Sequence, residues 1–179
     1  MSGWTFETLA ATDRKNLEEV VRTGARPDYG ELEGFVYCGW NHEPVARLTG
    51  EKFRKVFRRR EGRPFGYNEV VRQDRQGYGG KWELKLENGR PVEIGHYRVA
   101  NVADEPPRRI YSRYRHAGLL DYDVTANTGR NFPLRVIRDI TVLPNPGDHG
   151  LVLGKAYLQL GPLYVFYSYF VLGHRRPLA

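Results

Sequence analysis

The last third of the chain contains three long apolar runs, residues 134–143, 151–160 and 163–172, separated by turns that contain Gly and Pro. Val, Ile, Leu, Tyr and Phe dominate these runs, and such residues favour strands. The connecting segments, PNPGDHG and GP, are too short for a crossover helix. The pattern therefore predicts three consecutive antiparallel strands, a β-meander.

Shorter apolar runs predict further strands at residues 35–40, 52–59, 66–73, 80–87, 92–100, 109–115 and 118–125. The clearest alternation is KWELKLE, where Trp82, Leu84 and Leu86 share one face and charged residues the other. Nine or ten successive hairpin strands would leave long apolar edges in an open sheet. We therefore expect a mainly β chain, with a single antiparallel up-and-down β-barrel of about 8–10 strands over residues 34–174.

Residues 5–24 show a different pattern, because their apolar side chains recur at a spacing near 3.6. Thr12 and Asp13 can cap a second segment, Gly24 is well placed to end it, and Pro27 makes continuation costly. This predicts a helical lead-in of one broken helix or two short ones that plugs or flanks the sheet. Residues 41–50 are expected to form a loop.

The composition fits one domain over residues 1–179, since no linker-like segment divides the chain. The single cysteine, Cys38, permits no internal disulfide, and the amino terminus has no apolar signal region, so we expect a cytoplasmic protein. The longest apolar stretch is about half of the ~20 residues that a membrane-spanning helix needs, so no transmembrane segment is expected. The oligomeric state is left open.

Gly39 and Trp40 in the first strand, with Arg175 or Arg176 after the last apolar run, resemble the calycin group, meaning the lipocalins and fatty-acid-binding-like proteins. The resemblance covers most of the chain in architecture but few residues in motif. It implies a barrel that Trp40 closes at one end, with Arg175 packed across the indole ring. The chain also resembles uncharacterised bacterial proteins with a GxWxG-type start. These residues are structural and imply no catalytic role.

Two cations interrupt the apolar runs: Arg138 lies in LRVIRDITVL and Lys155 in LVLGKAYLQL. Each shares its alternating face with aliphatic residues, and an unpaired buried cation is very costly. If either face lines the barrel, its cation would anchor a carboxylate or phosphate. An internal salt bridge and an outward-facing charge are the alternatives.

The leading hypothesis is non-covalent binding of a small hydrophobic or amphipathic acid, fatty acyl or isoprenoid-like, in a barrel cavity without a cofactor. Arg138 and Lys155 would hold its head, and Tyr97, Tyr157 and Tyr167 would surround its body. His96 would join them if Val92 and Ile94 point inward, because side chains alternate along a strand.

A cofactor-free isomerase or cyclase is the enzyme alternative, although catalytic residues cannot be assigned from the sequence. Its acid and base groups would be sought among His96, Tyr97, Asp121 and Asp139. The five histidines have no metal-binding spacing, so no metal site is expected, and common hydrolase and nucleotide-binding motifs are absent. Cys38 is expected to be buried and inert; a nucleophilic thiol would need a basic neighbour such as His42.

A net charge of +7 and a pI near 9.6 favour anionic partners. Much of the excess lies in residues 52–63, so a third hypothesis is a nucleic-acid or anionic-surface module using Arg54, Lys55, Arg58, Arg59, Arg60 and Arg63. Its stacking residues would be Phe53, Phe57, Tyr111 and Tyr114. The simpler interpretation is a solvated edge strand that its charges protect from aggregation.

Overall fold

The protein is an eight-stranded antiparallel barrel with short helices, in a computed structural model that describes residues 3–42 and 50–178. Ten strands follow one another along the chain: β1 (Phe35–Asn41), β2 (Lys52–Arg60), β3 (Arg63–Val70), β4 (Leu86–Glu87), β5 (Arg90–Pro91), β6 (Glu93–Asn101), β7 (Gly118–Asp121), β8 (Ile137–Val142), β9 (Val152–Leu160) and β10 (Leu163–Pro177). β4 and β5 form a separate hairpin. The other eight pair in chain order, and β10 pairs with β1 to close the barrel. The predicted up-and-down barrel is confirmed.

The helices are short: α1 (Phe6–Ala10), α2 (Arg14–Thr23), α3 (Tyr29–Leu32) and α4 (Arg109–Arg113), with 3-10 segments at Gly77–Gly79, Val102–Asp104 and Gly129–Val136. The Asp13 side chain caps α2 by accepting the Asn16 N–H at 3.0 Å, and Gly24 ends the helix. Both positions were predicted. Within the part of the chain that is described, no helix is long and apolar enough to cross a membrane.

Apolar residues are buried on both faces of the barrel wall. Outside, Leu9, Leu17 and Val21 of α1 and α2 pack against outward-facing residues of β8 to β10, such as Ile140 and Leu153. This is why the strands of the last third look apolar on both faces: one face fills the barrel and helices cover the other. The helical lead-in therefore flanks the sheet, one of the two predicted arrangements.

α3 plugs one end of the barrel from inside. Its Leu32 packs among Tyr37, Phe57 and Tyr97 in the inner core, and the Tyr29 hydroxyl lies 3.1 Å from that of Thr141. The opposite half is free of this plug and contains the cavity described below. This helix lies between Pro27 and β1, where the sequence pattern predicted no helix.

Two predicted strands are wrong. In KWELKLE only Leu86 and Glu87 belong to a strand, with an isolated bridge from Leu84 to Val71. Trp82 packs on Phe6 of α1, and its indole N–H donates to the Gly39 carbonyl of β1 at 3.1 Å, so its burial comes from these contacts and not from a strand. A loop that lies on a protein surface can thus alternate like a strand.

The segment predicted as a strand at 109–115 is the helix α4, which buries Tyr111 and leaves Tyr114 buried just after its last residue. Their spacing of three places both rings on one helical face. The run at 134–143 becomes a strand only from Ile137, after a 3-10 segment that contains Pro133. The predicted 41–50 loop lies mostly outside the described residues.

A carboxylate on α2 attaches the helices to the barrel. Glu18 accepts hydrogen bonds from Lys155 at 2.5 Å and from the hydroxyls of Tyr114 and Tyr169 at 2.7 Å each. Burial opposes ionisation of Glu18, but these donors outweigh it and lower the pKa of the carboxyl. The ion pair therefore contributes stability above the unfolded-state pKa of 4.5, and this contribution is lost as the pH falls through the lower folded-state value.

We expect Glu18→Ala to lower the free energy of unfolding by about 2 kcal/mol at pH 7, because Lys155 is left buried without its carboxylate. Urea denaturation measures the loss, which should shrink toward pH 3. Glu19→Ala is the control, since this neighbour is exposed, and it should change stability by less than about 0.5 kcal/mol. Equal effects of the two variants would contradict the role assigned to Glu18.

Candidate functional site

The half of the barrel opposite α3 encloses a cavity of about 200 Å³. Its lining comes from seven of the eight barrel strands and from the segments beside them. The strand residues are Asn41, Lys52, Phe53, Lys55, Asn68, Glu69, Val70, Ile94, Ile137, Asp139, Ala156, Tyr167, Ser168 and Phe170, and Gly50, Gln73, Tyr122 and Leu134 complete the lining. Most of the accessible lining surface is apolar.

The aromatic residues of the inner wall lie flat against glycines on the neighbouring strand. Three such pairs are in direct cross-strand register: Gly39 with Phe53, Gly154 with Phe170, and Gly66 with Tyr97. A Cβ atom at any of the three glycines would lie within 2.4 Å of the partner ring. Glycine is therefore required for the rings to lie against the wall, which leaves the middle of the barrel open.

A polar cluster of Lys55, Tyr122, Asp139 and Asn68 forms the base of the cavity. The Lys55 ammonium donates to the Tyr122 hydroxyl at 2.7 Å and to Asp139 Oδ2 at 3.4 Å. Tyr122 in turn donates to Asp139 Oδ2 at 3.0 Å and accepts from the Asn68 amide at 3.2 Å. The cluster is thus an ion pair bridged by a phenol, all inside an apolar barrel.

Burial weakens both charges of this ion pair. Lys55 is 1% exposed, and burial lowers the pKa of its ammonium to about 8 although Asp139 opposes the shift. Burial raises the pKa of the Asp139 carboxyl, and Lys55 and Tyr122 only partly offset this. Four aromatic rings, from Phe53, Tyr97, Tyr122 and Phe170, lie 4.6–5.5 Å from Lys55 Nζ and favour its cationic form.

Three polar atoms in the lining have no hydrogen-bond partner among the described residues: Ser168 Oγ, in a residue that is 1% exposed, Asn68 Oδ1 and Glu69 Oε2. Glu69 Oε2 lies 3.0 Å from Nε of Arg54 in an ion pair, which leaves the Ser168 and Asn68 atoms unpaired. An unpaired buried polar atom costs about 1–3 kcal/mol. Such atoms beside an ion pair are typical of a site that a polar ligand group completes.

Partly exposed residues surround the mouth of the cavity. Leu134 of the 3-10 segment and Tyr167 of β10 are half-buried, and Gln73 is exposed. Gln73 donates to the carbonyl of Lys52 at 2.7 Å and accepts from its N–H at 2.9 Å, which ties the ends of β2 and β3 together. The partly exposed residues therefore mark the end at which the cavity opens.

The two cations predicted as ligand anchors lie on the outer face of the wall. Arg138 pairs with Asp121 at 3.0 Å and donates to the carbonyls of Arg135 and Ile137 at 2.7 Å each. Lys155 pairs with Glu18 as described above. Both cations thus form the internal salt bridges that the sequence analysis gave as the alternative. Lys55, which was assigned to the basic segment, is the cation at the base of the cavity, and Lys52 lies further along its lining.

A β-bulge moves His96 away from the cavity. Ile94 faces Asn68 and Tyr97 faces Gly66, so β6 has one residue more than β3 in this interval, and Gly95 has a positive φ of 57°. The extra residue reverses the alternation beyond Ile94. His96 therefore stacks on Phe65 at the outer surface, with ring centroids 5.8 Å apart, and Tyr97 points inward.

The predicted tyrosines divide between the two faces. Tyr167 lines the cavity. Tyr97 lies in the inner core, where it donates to the Val56 carbonyl at 2.7 Å below Lys55. Tyr157 is in the outer core, with its hydroxyl 3.3 Å from that of Tyr114. Only Tyr97 and Tyr167 of this set therefore lie inside the barrel.

The expected packing of Arg175 on Trp40 is replaced by another pair. Trp40 faces outward and packs edge-to-face on Tyr78 at 5.7 Å. The Arg175 guanidinium lies 3.4 Å from the ring centre of Phe35 and donates to the Glu31 carbonyl at 2.7 Å. The arginine therefore does pack on an aromatic ring, but it joins β10 to β1 and α3.

Of the acid and base candidates, Asp139 is inside the barrel and Asp121 is on the outer face. Asp121 binds Arg98 at 2.6 Å as well as Arg138. Burial raises the pKa of the Cys38 thiol. His42, its proposed activating neighbour, makes a hydrogen bond of 2.8 Å through Nε2 to the Leu9 carbonyl.

Ion pairs within the protein engage part of the basic segment, whereas Arg63 is exposed. Arg54 pairs with Glu69 at 3.0 Å and Arg59 with Glu33 at 2.7 Å. Arg58 and Arg60 lie over the rings of Tyr67 and Phe65. Phe57 and the helix-associated tyrosines Tyr111 and Tyr114 are buried, so they do not form a stacking surface. The strand belongs to a closed barrel and has no free edge.

The sequence analysis missed Lys55 as a cavity residue, although a signal was present. Phe53, Lys55 and Phe57 alternate by two and share one face of β2. The run of arginines on the other face concealed this alternation. Asp139 was named as an acid or base candidate, but its pairing with Lys55 joins residues 84 positions apart, which only the fold could place together.

Together, the fold and this cavity define an up-and-down barrel of eight strands whose internal pocket has a polar cluster at its base. This architecture is compatible with a calycin-like fold. Comparisons of the chain with protein-family models, curated proteins and solved structures find no match.

Proposed function

We propose that the barrel binds a small amphipathic acid, with its head at the Lys55 cluster and its apolar body in the cavity. The observation that carries this proposal is the pair of unpartnered polar atoms, Ser168 Oγ and Asn68 Oδ1, beside the buried cation of Lys55 in the cavity. A carboxyl group would accept hydrogen bonds from Lys55 and Ser168, and its protonated form could donate to Asn68.

The cavity volume limits how much of the ligand is enclosed. A cavity of about 150 Å³ lined by apolar residues can hold benzene, so about 200 Å³ in the same proportion encloses roughly eight non-hydrogen atoms, which is a carboxyl group with about five further carbons. A longer fatty acyl or isoprenoid chain would extend past Leu134 and Tyr167 at the mouth. Octanoate, whose last carbons would lie at this mouth, is a suitable first ligand.

Binding of octanoate should be coupled to proton uptake. Lys55 and Asp139 form a pair with no net charge, and a second carboxylate in the same small volume is strongly disfavoured. One of the two carboxyl groups must therefore hold a proton, and the raised pKa of Asp139 makes it a ready acceptor. Affinity should rise as the pH is lowered from 8 to 6, by up to about tenfold per pH unit.

Isothermal titration calorimetry of octanoate in two buffers of different ionisation enthalpy measures both affinity and proton uptake. We expect one site and an uptake of about one proton per ligand. Ser168→Ala should weaken binding about tenfold while leaving the free protein at least as stable, because it removes an unpaired buried hydroxyl. Ser112→Ala is the matched control, because Ser112 is an exposed serine on α4 and lies outside the cavity lining. Absence of saturable binding in the parent protein would overturn the proposal.

Catalysis in the same cavity is the second candidate, because Lys55, Tyr122 and Asp139 are three titratable groups that converge on one space. Acid–base catalysis requires such converging titratable groups beside the ligand, whereas simple binding does not. His96 and Asp121 would take no direct part, since both lie on the outer face. Conversion of a bound ligand into a product would distinguish this function from binding alone.

A further inference from the structure

We propose that Lys55 is a carbonyl-reactive amine, which forms an imine with small apolar aldehydes that enter the barrel cavity. This inference rests on the proposed binding function and extends it to a covalent step and a second class of ligand. It is carried by the position of Lys55 Nζ at the base of a cavity, in contact with both a phenol and a carboxylate.

The surroundings of Lys55 can supply the neutral amine that an imine requires. An ammonium has no lone pair, so its proton must first move to a nearby base. Asp139 Oδ2, 3.4 Å away, is such a base, and the Tyr122 hydroxyl contacts both groups. Burial favours the neutral form of each partner over the ion pair.

The step balances without an external reagent other than the aldehyde. The amine nitrogen attacks the carbonyl carbon, a C–N bond forms as the C=O π bond breaks, and one proton passes from nitrogen to oxygen to give a neutral carbinolamine. The proton that Asp139 received from the ammonium is then returned to the hydroxyl oxygen, directly or through Tyr122, and the C–O bond breaks to release water. The product is the protonated imine, and its positive charge pairs with the regenerated Asp139 carboxylate.

Two other buried lysines lack this arrangement. Lys155 lies outside the barrel wall and is engaged by Glu18. The Lys52 side chain reaches the mouth of the cavity, but its ammonium makes contacts of 2.7 and 2.8 Å with both carboxylate oxygens of Asp74. Hydrogen bonds from Lys52 and Gln76 stabilise the Asp74 anion and lower the pKa of its carboxyl. Asp74 is therefore a poor base. Lys52 and Lys155 are therefore internal controls for Lys55.

Trapping with n-octanal and cyanoborohydride tests the inference. The reductant converts an imine into a stable secondary amine, and peptide mapping identifies the modified lysine. We expect one octyl group per chain, on Lys55, formed about tenfold faster than on exposed Lys15. Octanol under the same conditions should give no adduct, and octanoate should protect Lys55 by competition.

Ala156→Leu provides a variant that keeps Lys55 but fills the cavity. Ala156 lines the pocket beside Asp139, so a larger aliphatic side chain occupies space that the ligand needs without introducing a charge. It should reduce modification of Lys55 about tenfold and leave that of Lys15 unchanged. Lys55→Arg should abolish the specific adduct, because a guanidinium forms no such imine.

The results separate the two proposals. If octanoate binds but octanal modifies Lys55 no faster than Lys15, the carbonyl chemistry is wrong and the binding function stands. If neither compound occupies the cavity, both proposals fail. Selective modification of Lys55 that Ala156→Leu does not reduce would also contradict the inference, because the reaction would then not use the cavity.

Discussion

Lys55→Met is expected to lower the free energy of unfolding by about 3–5 kcal/mol at pH 7, because it leaves Asp139 buried inside the barrel without its cation. Asp139 is 3% exposed, and the Tyr122 hydroxyl alone cannot stabilise a full negative charge in this position. Methionine has a similar length and an apolar character, so packing losses should be small. Urea denaturation followed by circular dichroism measures the change.

The pH dependence of this loss identifies its cause. Without Lys55, the pKa of Asp139 in the folded protein should lie even further above its unfolded value of 3.8. A folded-state pKa that is raised means that the native state binds the proton more tightly, so stability falls as the pH rises from about 4 through the folded value. The penalty of Lys55→Met should therefore be small near pH 4 and largest above neutrality.

Removing both charges should restore most of the lost stability. Lys55→Met combined with Asp139→Asn leaves no buried ion, and the Asn side chain can still accept the hydrogen bond of Tyr122. We expect the double variant to recover at least about 2 kcal/mol relative to Lys55→Met. Lys15→Met is the control, because the Lys15 side chain on α2 is exposed, and it should have little effect on stability. A pH-independent loss, or no recovery in the double variant, would show that the charge of Asp139 is not the cause.

Gly66→Ala is expected to destabilise the barrel by about 3 kcal/mol, since one added methyl group has no space to occupy. Its Cβ would lie 2.3 Å from the Tyr97 ring and 2.3 Å from the backbone carbonyl oxygen of Val56. The carbonyl belongs to β2 and cannot move without disturbing its pairing with β3. Displacement of Tyr97 would also break its hydrogen bond to that same oxygen.

Thermal and urea denaturation of Gly66→Ala measure this effect against a matched glycine. Gly79→Ala adds the same methyl group at a position where no atom lies within 4 Å, so it should change stability by less than about 0.5 kcal/mol. If Gly66→Ala were equally harmless, the inner wall would be more compliant than the contact distances imply. The role of the glycine–aromatic pairs in keeping the cavity open would then have to be revised.

The unpaired polar groups of the cavity are expected to lower the stability of the folded protein, and the rest of the structure is expected to raise it. The unpartnered Ser168 and Asn68 atoms lower stability, whereas the helices, the α3 plug and the outer core raise it. Ser168→Ala should therefore shift stability and ligand affinity in opposite directions. This combination distinguishes a binding residue from a purely structural one.

The fold was largely predictable because strand and helix patterns are local properties. Alternating or continuous apolar runs between short turns indicated the strands, and Asp13 and Gly24 marked the limits of α2. KWELKLE and residues 109–115 were misassigned because the same residue spacings fit more than one local structure. In both segments the packing of individual aromatic side chains, Trp82 and Tyr111, decided the outcome.

The candidate site was less predictable because it depends on which face of each strand points inward. Arg138 and Lys155 lie in apolar runs whose two faces are both buried, so burial alone could not tell the cavity from the outer core. A single extra residue at the β6 bulge reversed the alternation and moved His96 outward. The residue type at each position therefore does not show whether Arg138, Lys155 or His96 faces the cavity or the outer surface.

By itself, the sequence determined a mainly β chain with a helical lead-in, because hydrophobic periodicity and turn residues act over a few positions. The tertiary structure alone decided that the barrel closes with β10 on β1, that α3 plugs one end, and that Lys55 meets Asp139 and Tyr122 inside. These contacts join residues far apart in the chain, and their energies depend on closure of the whole barrel. The chemistry of this protein therefore follows from the strand register, which sets which charged side chains face the cavity.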